Sequence, residues 1–456
     1  MDRKQTGKER RNAQPKGITA ISVSGYKSIR EEQRIEIRPL TILAGANSSG
    51  KSSIMQPLLL LKQTLETPYD PGALLLDGPN VQITSADQVL SKGMGQKPAK
   101  AFSMQLEIAE RLRLRLNFEK ASGKGFDIAS MSYGPRGGPT DEIRLGMSAQ
   151  GIETLVPSGY KQFAERIQSL KKQRMQWSVV RNRCFLYLMG GPAGEPMFTV
   201  GPTTPSGPSR YRDQSVEACI EKVIHVPGLR GNPERTYKTS AVGEEFGGKF
   251  NDYVASVISQ WQDRPDEARL SSLGKNLEEL GLTWKIKAKP IDAARVELQV
   301  GRLPHSRRGG ASDLVSIADV GFGVSQTLPV IVALLVARPG HLVYLEQPEI
   351  HLHPRAQSRM AGTLADTAKR GVVVVAETHS SLLLRGVQTL VAKGELLPGL
   401  VKLHWFTRGA DGATVIQSTD LDEQGRFGES WPEDFDDVLL ESERSYLDAV
   451  ESRSLQ

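Results

Sequence analysis

The feature that most constrains the fold is a glycine- and serine-rich loop at residues 45–52, which reads Gly-Ala-Asn-Ser-Ser-Gly-Lys-Ser. This loop fits the pattern G-x-x-x-x-G-K-[ST] completely. A strand-like apolar run at residues 40–43 precedes it, and a leucine-rich stretch with helical character follows at residues 52–65. The order strand, loop, helix predicts a phosphate-binding loop (P-loop) within an α/β fold and argues against a chance match in an ordinary turn.

Each part of the loop has a chemical reason. The glycines Gly45 and Gly50 allow backbone N–H groups to turn inward around phosphate oxygens, and a helix N-terminus favours an anion. Lys51 supplies a positive charge for the β- and γ-phosphates, and Ser52 offers a hydroxyl to a magnesium ion. We therefore expect ATP and Mg²⁺ as ligands. The remaining loop residues expected to contact the nucleotide are Asn47, Ser48, Ser49 and Ser53.

A magnesium site also needs a carboxylate at the end of a neighbouring strand. Residues 341–346 form an apolar run that ends in Glu346, which we predict to bind the metal together with Ser52. Gln347 and Glu349 follow immediately and are candidate catalytic residues. Glu349 with the two histidines at 351 and 353 would also suit zinc, but the same stretch fits a nucleotide-site loop better.

Two further segments complete the candidate site. The apolar run at residues 372–376 precedes Glu377, Thr378 and His379, and a histidine at such a strand end can reach a γ-phosphate. Gly321, Gly323 and Ser325 lie just before an apolar helix and open another anion-friendly helix N-terminus. Taken singly, a turn histidine and a glycine-rich helix start without a ligand explain these two segments equally well.

The wider pattern predicts an α/β protein with a mixed sheet and flanking helices. Strands and helices alternate over residues 294–420, which is typical of a mainly parallel sheet covered by helices. Period-two alternation at residues 102–108 and 112–118 predicts an antiparallel β subdomain. Residues 121–160 are expected to form loops with short strands, residues 160–190 a basic helical segment, and residues 240–283 helices.

We divide the chain into four parts on these patterns. Residues 1–17 are a disordered basic arm, and residues 18–120 an N-terminal lobe with the P-loop and the β subdomain. Residues 121–293 are an inserted, partly helical region. Residues 294–456 are a C-terminal lobe that ends in an acidic segment.

Charge is distributed unevenly along the chain. The net charge is +6, of which residues 1–17 carry +4, so the overall sign is no argument that the folded body binds nucleic acid. Residues 420–451 carry twelve acids against two arginines, which favours a solvated or partner-contacting segment over a metal cluster. Two cysteines, no apolar leader and a longest apolar run of about half a membrane span predict a cytoplasmic protein.

With these segments in order, the chain resembles the ABC-type ATPases of the SMC/RecF/OLD group. More closely it resembles the bacterial AAA-family ATPases of defence and mobile-element operons, whose Walker B often reads E-Q-P-E-x-H-L-H-P, as residues 346–354 do here. Residues 25–29, 229–237 and 431–435 add to the likeness. The resemblance implies a P-loop NTPase of the ABC head type and an ATPase activity.

The resemblance also implies a mechanism and partners. Two heads would sandwich ATP in a homodimer or higher oligomer. Gly321, Gly323 and Ser325 would then contact the γ-phosphate in trans, and His379 would be the switch histidine. Such proteins suggest a sensor or scaffold that controls a separate effector, for example a nuclease, in phage defence or DNA processing.

Two departures concern turnover. ABC heads usually place Asp and then Glu before the proline, whereas this chain has Glu346 and Gln347. An amide cannot accept a proton from water as a carboxylate does. Either Glu349 substitutes for the missing base, or hydrolysis is slow and the ATP-bound state is long-lived.

The sequence also bears on three other functions. An OLD-like nuclease would need a Toprim site, for which Asp420 and Asp422 form a D-x-D pair without a convincing partner strand. A transporter-type ABC subunit is disfavoured because the chain has no membrane segment. DNA binding through the arm and the basic residues of 165–183 is as compatible with the sequence as a solvated helix face.

Overall fold

The computed structural model describes residues 17–428 except 94–96, 110–111, 124, 172–174, 193–196, 202–214, 244, 265 and 304–312, and beyond these residues 444–445 and 447–448. The predicted basic arm, apart from Gly17, lies outside the described residues. So does most of the acidic segment.

The described strands are β1 (Ile18–Ser24), β2 (Gln33–Glu36), β3 (Leu40–Gly45), β4 (Ala101–Ile108), β5 (Leu112–Lys120), β6 (Phe126–Pro135), β7 (Asp141–Ile143), β8 (Met175–Asn182), β9 (Phe185–Pro192), β10 (Phe198–Val200), β11 (Ile224–Val226), β12 (Tyr237–Lys238), β13 (Ile286–Pro290), β14 (Arg295–Gly301), β15 (Leu314–Ser316), β16 (Leu342–Glu346), β17 (Val373–Thr378), β18 (Val401–Arg408) and β19 (Thr414–Thr419). The described α-helices are α1 (Lys51–Glu66), α2 (Ala149–Leu155), α3 (Ser158–Lys171), α4 (Val216–Glu221), α5 (Val254–Asp263), α6 (Glu267–Glu279), α7 (Phe322–Val336), α8 (Pro354–Lys369) and α9 (Ser381–Ala392).

The central sheet has the strand order β11-β16-β17-β3-β18-β19. Its first five strands are parallel, and β19 pairs with β18 in the antiparallel direction. Parallel strands end at the same edge of a sheet, and ligands of open α/β sheets bind outside that edge. Consequently the P-loop after β3 and the polar residues after β16 and β17 meet at one edge.

Each face of the central sheet carries its own hydrophobic core. Leu43, Tyr344 and Val375 point to the face covered by α1 and the antiparallel sheet. The alternate residues, such as Leu345 and Val374, point to the face covered by α5 to α9. This alternation follows the period of two along a strand, so position in the strand decides which layer a side chain enters.

A second six-stranded sheet is antiparallel, in the order β2-β1-β4-β5-β6-β7. The predicted hairpin at residues 102–118 is β4 and β5. The expectation of loops with only short strands over residues 121–160 is wrong at β6, which has ten residues and pairs along β5.

The expectation of a helix over residues 160–190 is also wrong in its second half. Helix α3 ends at Lys171, and β8 and β9 then form an antiparallel hairpin. Residues 185–188 are all buried in β9. The prediction of a helix relied on the basic residues of the segment and did not take this apolar run into account. Of the helices expected over residues 240–283, α5 and α6 are confirmed within residues 254–279, whereas residues 240–243 and 245–249 are not helical.

The predicted fold class, α/β with a mixed sheet, flanking helices and an antiparallel β subdomain, is confirmed. The apolar run at residues 328–337 belongs to α7, which is packed inside the molecule. Within the described part of the chain, no helix is long and apolar enough to cross a membrane.

Candidate nucleotide site

The P-loop begins where β3 ends. Gly45 and Gly50 have φ values of +143° and +102°, and Ser48 has +59°. A Cβ on Gly45 would lie 2.3 Å from the carbonyl oxygen of Phe406, and a Cβ on Gly50 would lie 2.2 Å from Oγ1 of Thr414. Only glycine fits both the backbone conformation and the space at these two positions.

Helix α1 opens directly onto the loop. Its N-cap, Gly50, provides no side-chain acceptor for the first N–H groups of the helix. These donors, together with the helix dipole, make an anion-binding end. They face a cleft of about 310 Å³.

Lys51 is the buried cation of the loop. Its ammonium group donates to the carbonyl oxygens of Gly45 at 3.0 Å and Ala46 at 2.8 Å. Burial lowers the pKa of Lys51, and the charges of Glu377 and Glu349 oppose that effect. Because both acceptors are neutral, a phosphate would compete well for this ammonium group.

The cleft brings together residues from five parts of the chain. Its lining includes most of the predicted loop residues and two of the predicted catalytic residues, Gln347 and His379. The full lining is Lys27, Ser28, Asn47, Ser48, Ser49, Gly50, Lys51, Ser52, Ser53, Gln347, Glu377, His379 and Arg408. Of the other predicted residues, Glu346 and Glu349 do not line this cleft, and neither do Gly321, Gly323 and Ser325, which we call the signature.

Glu377 is the carboxylate that reaches Ser52. Its Oε2 accepts the Ser52 hydroxyl at 2.9 Å, and its Oε1 accepts a short hydrogen bond from the Tyr344 hydroxyl. Burial, followed by repulsion from Glu346, raises the pKa of Glu377 to about 7. The sequence placed this residue at a strand end but assigned it no role.

Glu346 points the other way, toward β11. Its Oε1 lies 3.2 Å from Nε2 of His225, and its Oε2 accepts the N–H of Gly228 at 2.9 Å. Burial alone would raise the pKa of Glu346. The hydrogen bonds from His225 and Gly228 and the charge of Arg230 outweigh it and hold that pKa below its usual value.

The turn after β16 separates Gln347 from Glu349. Gln347 has a φ of +46°, donates its N–H to the carbonyl of Glu377 at 2.9 Å, and faces the cleft. Glu349 is buried behind the turn. Its Oε1 accepts from the Thr378 hydroxyl and from the N–H of His379.

The second oxygen of Glu349, Oε2, has no hydrogen-bond partner among the described residues. Burial raises the pKa of Glu349, and the bond from Thr378 counteracts this only in part. Glu349 therefore holds the end of β17, and with it His379, in position.

The histidines divide into two groups. His379 lines the cleft, and burial, then the charge of Lys51, lowers its pKa, which favours the neutral ring at pH 7. His353 instead caps α8 through a contact with the N–H of Arg355. No group of three or more His, Cys, Asp or Glu within the described residues is placed to hold a metal ion, so the zinc interpretation gains no support.

The signature lies at the exposed N-terminus of α7. Gly321 is the N-cap of the helix, and the Ser325 hydroxyl donates to the carbonyl of Phe322 at 3.2 Å. Phe322 is 50% exposed. These groups do not face the cleft of their own chain.

A partly buried arginine connects the signature helix to the turn after β16. Arg230 donates to the carbonyl of Gln326 at 3.1 Å, of Glu346 at 2.7 Å and of Gln347 at 3.1 Å. Burial lowers the pKa of Arg230 to about 10, and the guanidinium stays charged at neutral pH. Sequence reasoning recognised this segment only as part of a resemblance.

Lys27 and Arg408 were also missed as site residues. Lys27 donates to Oε1 of Gln56 at 2.6 Å, and Arg408 donates to the carbonyl of Ser48 at 2.8 Å. Arg408 ends β18, the neighbour of β3, which places it at the ligand-binding edge. The signal available was a cation at the end of a strand.

The D-x-D pair at 420–422 is engaged in other contacts. Asp420 accepts from Lys402 at 3.0 Å and pairs with Arg38 at 3.0 Å. Asp422 closes a turn by accepting the N–H groups of Gln424 and Arg426, each at 2.8 Å. This geometry offers no support for a nuclease site at the pair.

Comparison with known proteins gives one family match. A family model described as "AAA domain, putative AbiEii toxin, Type IV TA system" matches residues 212–385. That stretch is 174 of the 456 residues, less than half of the chain. It includes β16 and β17 but not the P-loop. No curated protein matches the chain.

Three of the solved structures to which this chain is similar are SMC heads. An SMC head bound to the C-winged helix domain of ScpA has 12% identity over 89% of this chain and 98% of that chain, with a TM-score of 0.48. The SMC head domain from Thermotoga maritima has 11% identity over 88% and 98%, with a TM-score of 0.40. An SMC head with an extended coiled coil, bound to the C-terminal domain of ScpA and derived from Pyrococcus furiosus, has 10% identity over 95% and 99%, with a TM-score of 0.43.

Proposed function

We propose that the chain binds ATP with Mg²⁺ at the P-loop and hydrolyses it slowly, as an ABC/SMC-like ATPase. One observation carries the proposal. Lys51 and Ser52 open α1 onto a cleft that also holds Gln347, Glu377 and His379. Backbone donors, a buried cation and polar residues from three strand ends are what a nucleoside triphosphate requires.

The residues of the cleft divide the work of binding. The N–H groups of the loop and of the first turn of α1 cradle phosphate oxygens, and Lys51 exchanges its two carbonyl partners for them. Lys27 and Arg408 add positive charge at the mouth of the cleft. His379, held by Glu349, donates a hydrogen bond to the terminal phosphate in its neutral form.

The residues also fit a magnesium ion. The Ser52 hydroxyl and the carboxylates at the ends of β16 and β17 are hard oxygen ligands of the kind that Mg²⁺ prefers. Ser49, 1% exposed, has a hydroxyl without a hydrogen-bond partner among the described residues, which suits a site completed by a ligand. When bound, the ion supplies positive charge for the β- and γ-phosphate oxygens.

We infer slow turnover from the side chains that would lie closest to the water that attacks the γ-phosphate. Gln347 faces the cleft but cannot accept a proton. Glu349 is 5% exposed and occupied with Thr378 and His379, so it serves as a positioning residue. Glu377, the acid that lines the cleft, is bonded to Ser52 and Tyr344. The ATP-bound state therefore persists, which suits a switch better than a motor.

The exposed signature supports an ATP-dependent dimer. Gly321, Gly323 and Ser325 stand at the surface end of α7, and the neighbouring Phe322 and Leu229 are 50% and 88% exposed. In a sandwich, the signature of one protomer covers the ATP of the other. We propose that this dimer, in the cytoplasm, controls a separate effector such as a nuclease in phage defence or DNA processing.

The first experiment compares Lys51→Ala with Lys275→Ala, a variant at an exposed lysine of α6. Isothermal titration measures ATP affinity with Mg²⁺, and light scattering measures mass with and without ATP. We expect Lys51→Ala to lose ATP binding and dimer formation, and Lys275→Ala to retain both. Unchanged ATP affinity in Lys51→Ala would refute the proposal.

The effector proposal has its own test. Pull-down of proteins encoded beside this gene, with and without ATP, should recover a partner with the unsubstituted chain and not with Lys51→Ala. DNA binding remains a prediction with fewer candidate residues. Arg181 forms a two-point ion pair with Asp70 at 2.9 and 3.0 Å, and Arg183 donates to backbone carbonyls.

A further inference from the structure

We infer that Glu377, at the end of β17, is the protein carboxylate that binds the nucleotide's magnesium ion beside Ser52. Glu346, the acid in the Walker B position, acts behind it as a positioning residue for β11. This inference rests on the proposed function, since it assigns a ligand to the same site. Glu346 is the residue that the sequence pattern predicts, so the structure reassigns the role.

The register of the sheet makes both acids candidates. Glu346 and Glu377 are directly paired on the parallel strands β16 and β17. Paired residues of parallel strands point to the same face, and here that face carries α1 and Ser52. Two acids therefore stand side by side under the start of α1, and their side-chain contacts decide which one faces the ligand.

The contacts of Glu377 point into the cleft. Its carboxylate lines the cleft and accepts the Ser52 hydroxyl at 2.9 Å. The second oxygen is held by Tyr344, which is fully buried. A carboxylate fixed on one side by a buried hydroxyl and on the other by the P-loop serine is pre-oriented for the metal that this serine binds.

The contacts of Glu346 lead away from the cleft. Both of its oxygens are used, one by the His225 ring at 3.2 Å and the other by the Gly228 N–H at 2.9 Å. His225 is itself held by Asn80 at 3.0 Å. If Glu346 turned toward Ser52, both bonds would break, and Nε2 of the buried His225 ring would lose its contact with the carboxylate.

Two independent observations call for a cation near Glu377. The buried Glu377 carboxylate stands directly beside a second acid, Glu346, on the neighbouring strand, and a divalent ion would offset these two adjacent negative charges. The buried Ser49 hydroxyl, which also lines the cleft, lacks a partner among the described residues. Lys51 does not neutralise the pair by direct contact, because its ammonium group is bonded to the loop carbonyls.

The first test measures ATP affinity by calorimetry in EDTA and in Mg²⁺ for three variants. Glu377→Gln and Glu346→Gln replace the two acids with amides of the same shape, and Glu119→Gln is a control on the exposed end of β5. Mg²⁺ should strengthen ATP binding to the unsubstituted protein. In Glu377→Gln we expect this increase in affinity to be smaller by at least on the order of 10- to 100-fold. Glu346→Gln should lose less, and Glu119→Gln none.

ATP affinity in EDTA separates the possible failures. Every variant that binds Mg²⁺-free ATP normally has a folded P-loop. If the unsubstituted protein binds no ATP, the proposed function fails together with this inference. If it binds ATP and Glu377→Gln keeps the full Mg²⁺ effect, only this inference is overturned.

A metal-preference test identifies the direct ligand. Thiolates favour soft metals such as Cd²⁺ over Mg²⁺. We expect Cd²⁺ to restore tight ATP binding and produce a thiolate–cadmium absorbance in Glu377→Cys, but not in Glu346→Cys. The unsubstituted protein corrects for Cys184 and Cys219. Restoration in Glu346→Cys alone, or in neither variant, would overturn the inference.

Discussion

The two sides of the nucleotide cleft are built in different ways. The phosphate side (Gly45, Ser48, Gly50, Lys51 and Ser52) comes from one continuous segment between β3 and α1. The carboxylate side comes from the ends of two strands and the turn after one of them: Gln347, Glu377 and His379 line the cleft, and Glu346 and Glu349 lie behind them.

This difference determines how substitutions should act. On the phosphate side, backbone conformation fixes the geometry, so single changes should damage binding directly. On the carboxylate side, neighbouring acids share contacts with surrounding polar groups, so single changes should redistribute contacts and alter turnover more than binding. The predictions below test that contrast, from the largest effect to the smallest.

Gly45→Ala should have the largest effect, on the phosphate side. The new Cβ would meet the Phe406 carbonyl in a backbone conformation that favours glycine. We expect a loss of at least about 3 kcal/mol in unfolding free energy and loss of measurable ATP binding. Gly281→Ala is the control, with φ +71° and open space around it. Equal effects in denaturation experiments would contradict the role of the close contact.

Arg230→Ala tests whether Arg230 stabilises the turn that carries part of the carboxylate side. It removes a partly buried guanidinium from three backbone carbonyls, for which we expect a loss of roughly 2 kcal/mol in unfolding free energy. The control is Arg235→Ala, an exposed arginine paired with Asp319 at 2.7 Å, for which we expect little or no loss of stability because solvent screens the pair. If Arg230→Ala retains full stability and ATP-dependent dimerisation, Arg230 does not stabilise the site in this way.

His404 gives the phosphate side an acid sensitivity through β18, the strand beside β3. Its ring nitrogens contact the Ser418 hydroxyl at 2.7 Å and the Glu36 carbonyl at 2.8 Å. Burial is the main cause that lowers the pKa of His404 from 6.5 to about 4. The unfolded chain then binds the proton more tightly, so this stabilisation is complete above pH 6.5 and lost as pH falls toward 4.

The expected size of this effect is at most roughly 3 kcal/mol. Urea unfolding between pH 7.5 and 4.5 should show a smaller pH dependence in His404→Gln than in the unsubstituted protein. His353→Gln, at an exposed helix cap, serves as the control. Identical pH profiles for all three proteins would rule out His404 as a source of acid sensitivity.

Glu349→Gln should slow ATP turnover without abolishing it. The amide oxygen still accepts from Thr378 and His379, so we expect a reduction of several-fold, about 1 kcal/mol in activation free energy. Glu349→Ala, which removes the acceptor, should lose more. A loss near 1,000-fold in Glu349→Gln would instead identify Glu349 as the base.

Gln347→Glu should have the smallest effect. The side chain faces the cleft, and its backbone N–H, which bonds to Glu377, is unaffected by the change. We expect ATP turnover to stay within about threefold of the original or to rise, because a carboxylate there can accept a proton. Steady-state phosphate release measures it. Complete loss of turnover would show that the amide itself is required.

The phosphate side, the helix α7 and the strands β16 and β17 could all be predicted from the amino-acid sequence alone. Each is encoded by contiguous residues whose local geometry suffices: a glycine pattern before a helix, or an apolar run that ends in polar residues. The same reasoning failed for β6, where glycine, serine and proline residues suggested loops, and for β8 and β9, where basic residues suggested a helix. In all three strands, burial depends on partners elsewhere in the chain.

The orientation of the side chains on the carboxylate side could not be predicted in this way, because it depends on contacts that form only in the folded protein. Whether Glu346 or Glu377 faces Ser52 depends on His225 and Gly228, which lie more than a hundred residues from β16 in the chain. Arg230 acts across a similar distance. A local pattern fixes which residues end a strand, but the neighbours assembled by the sheet fix where their side chains point.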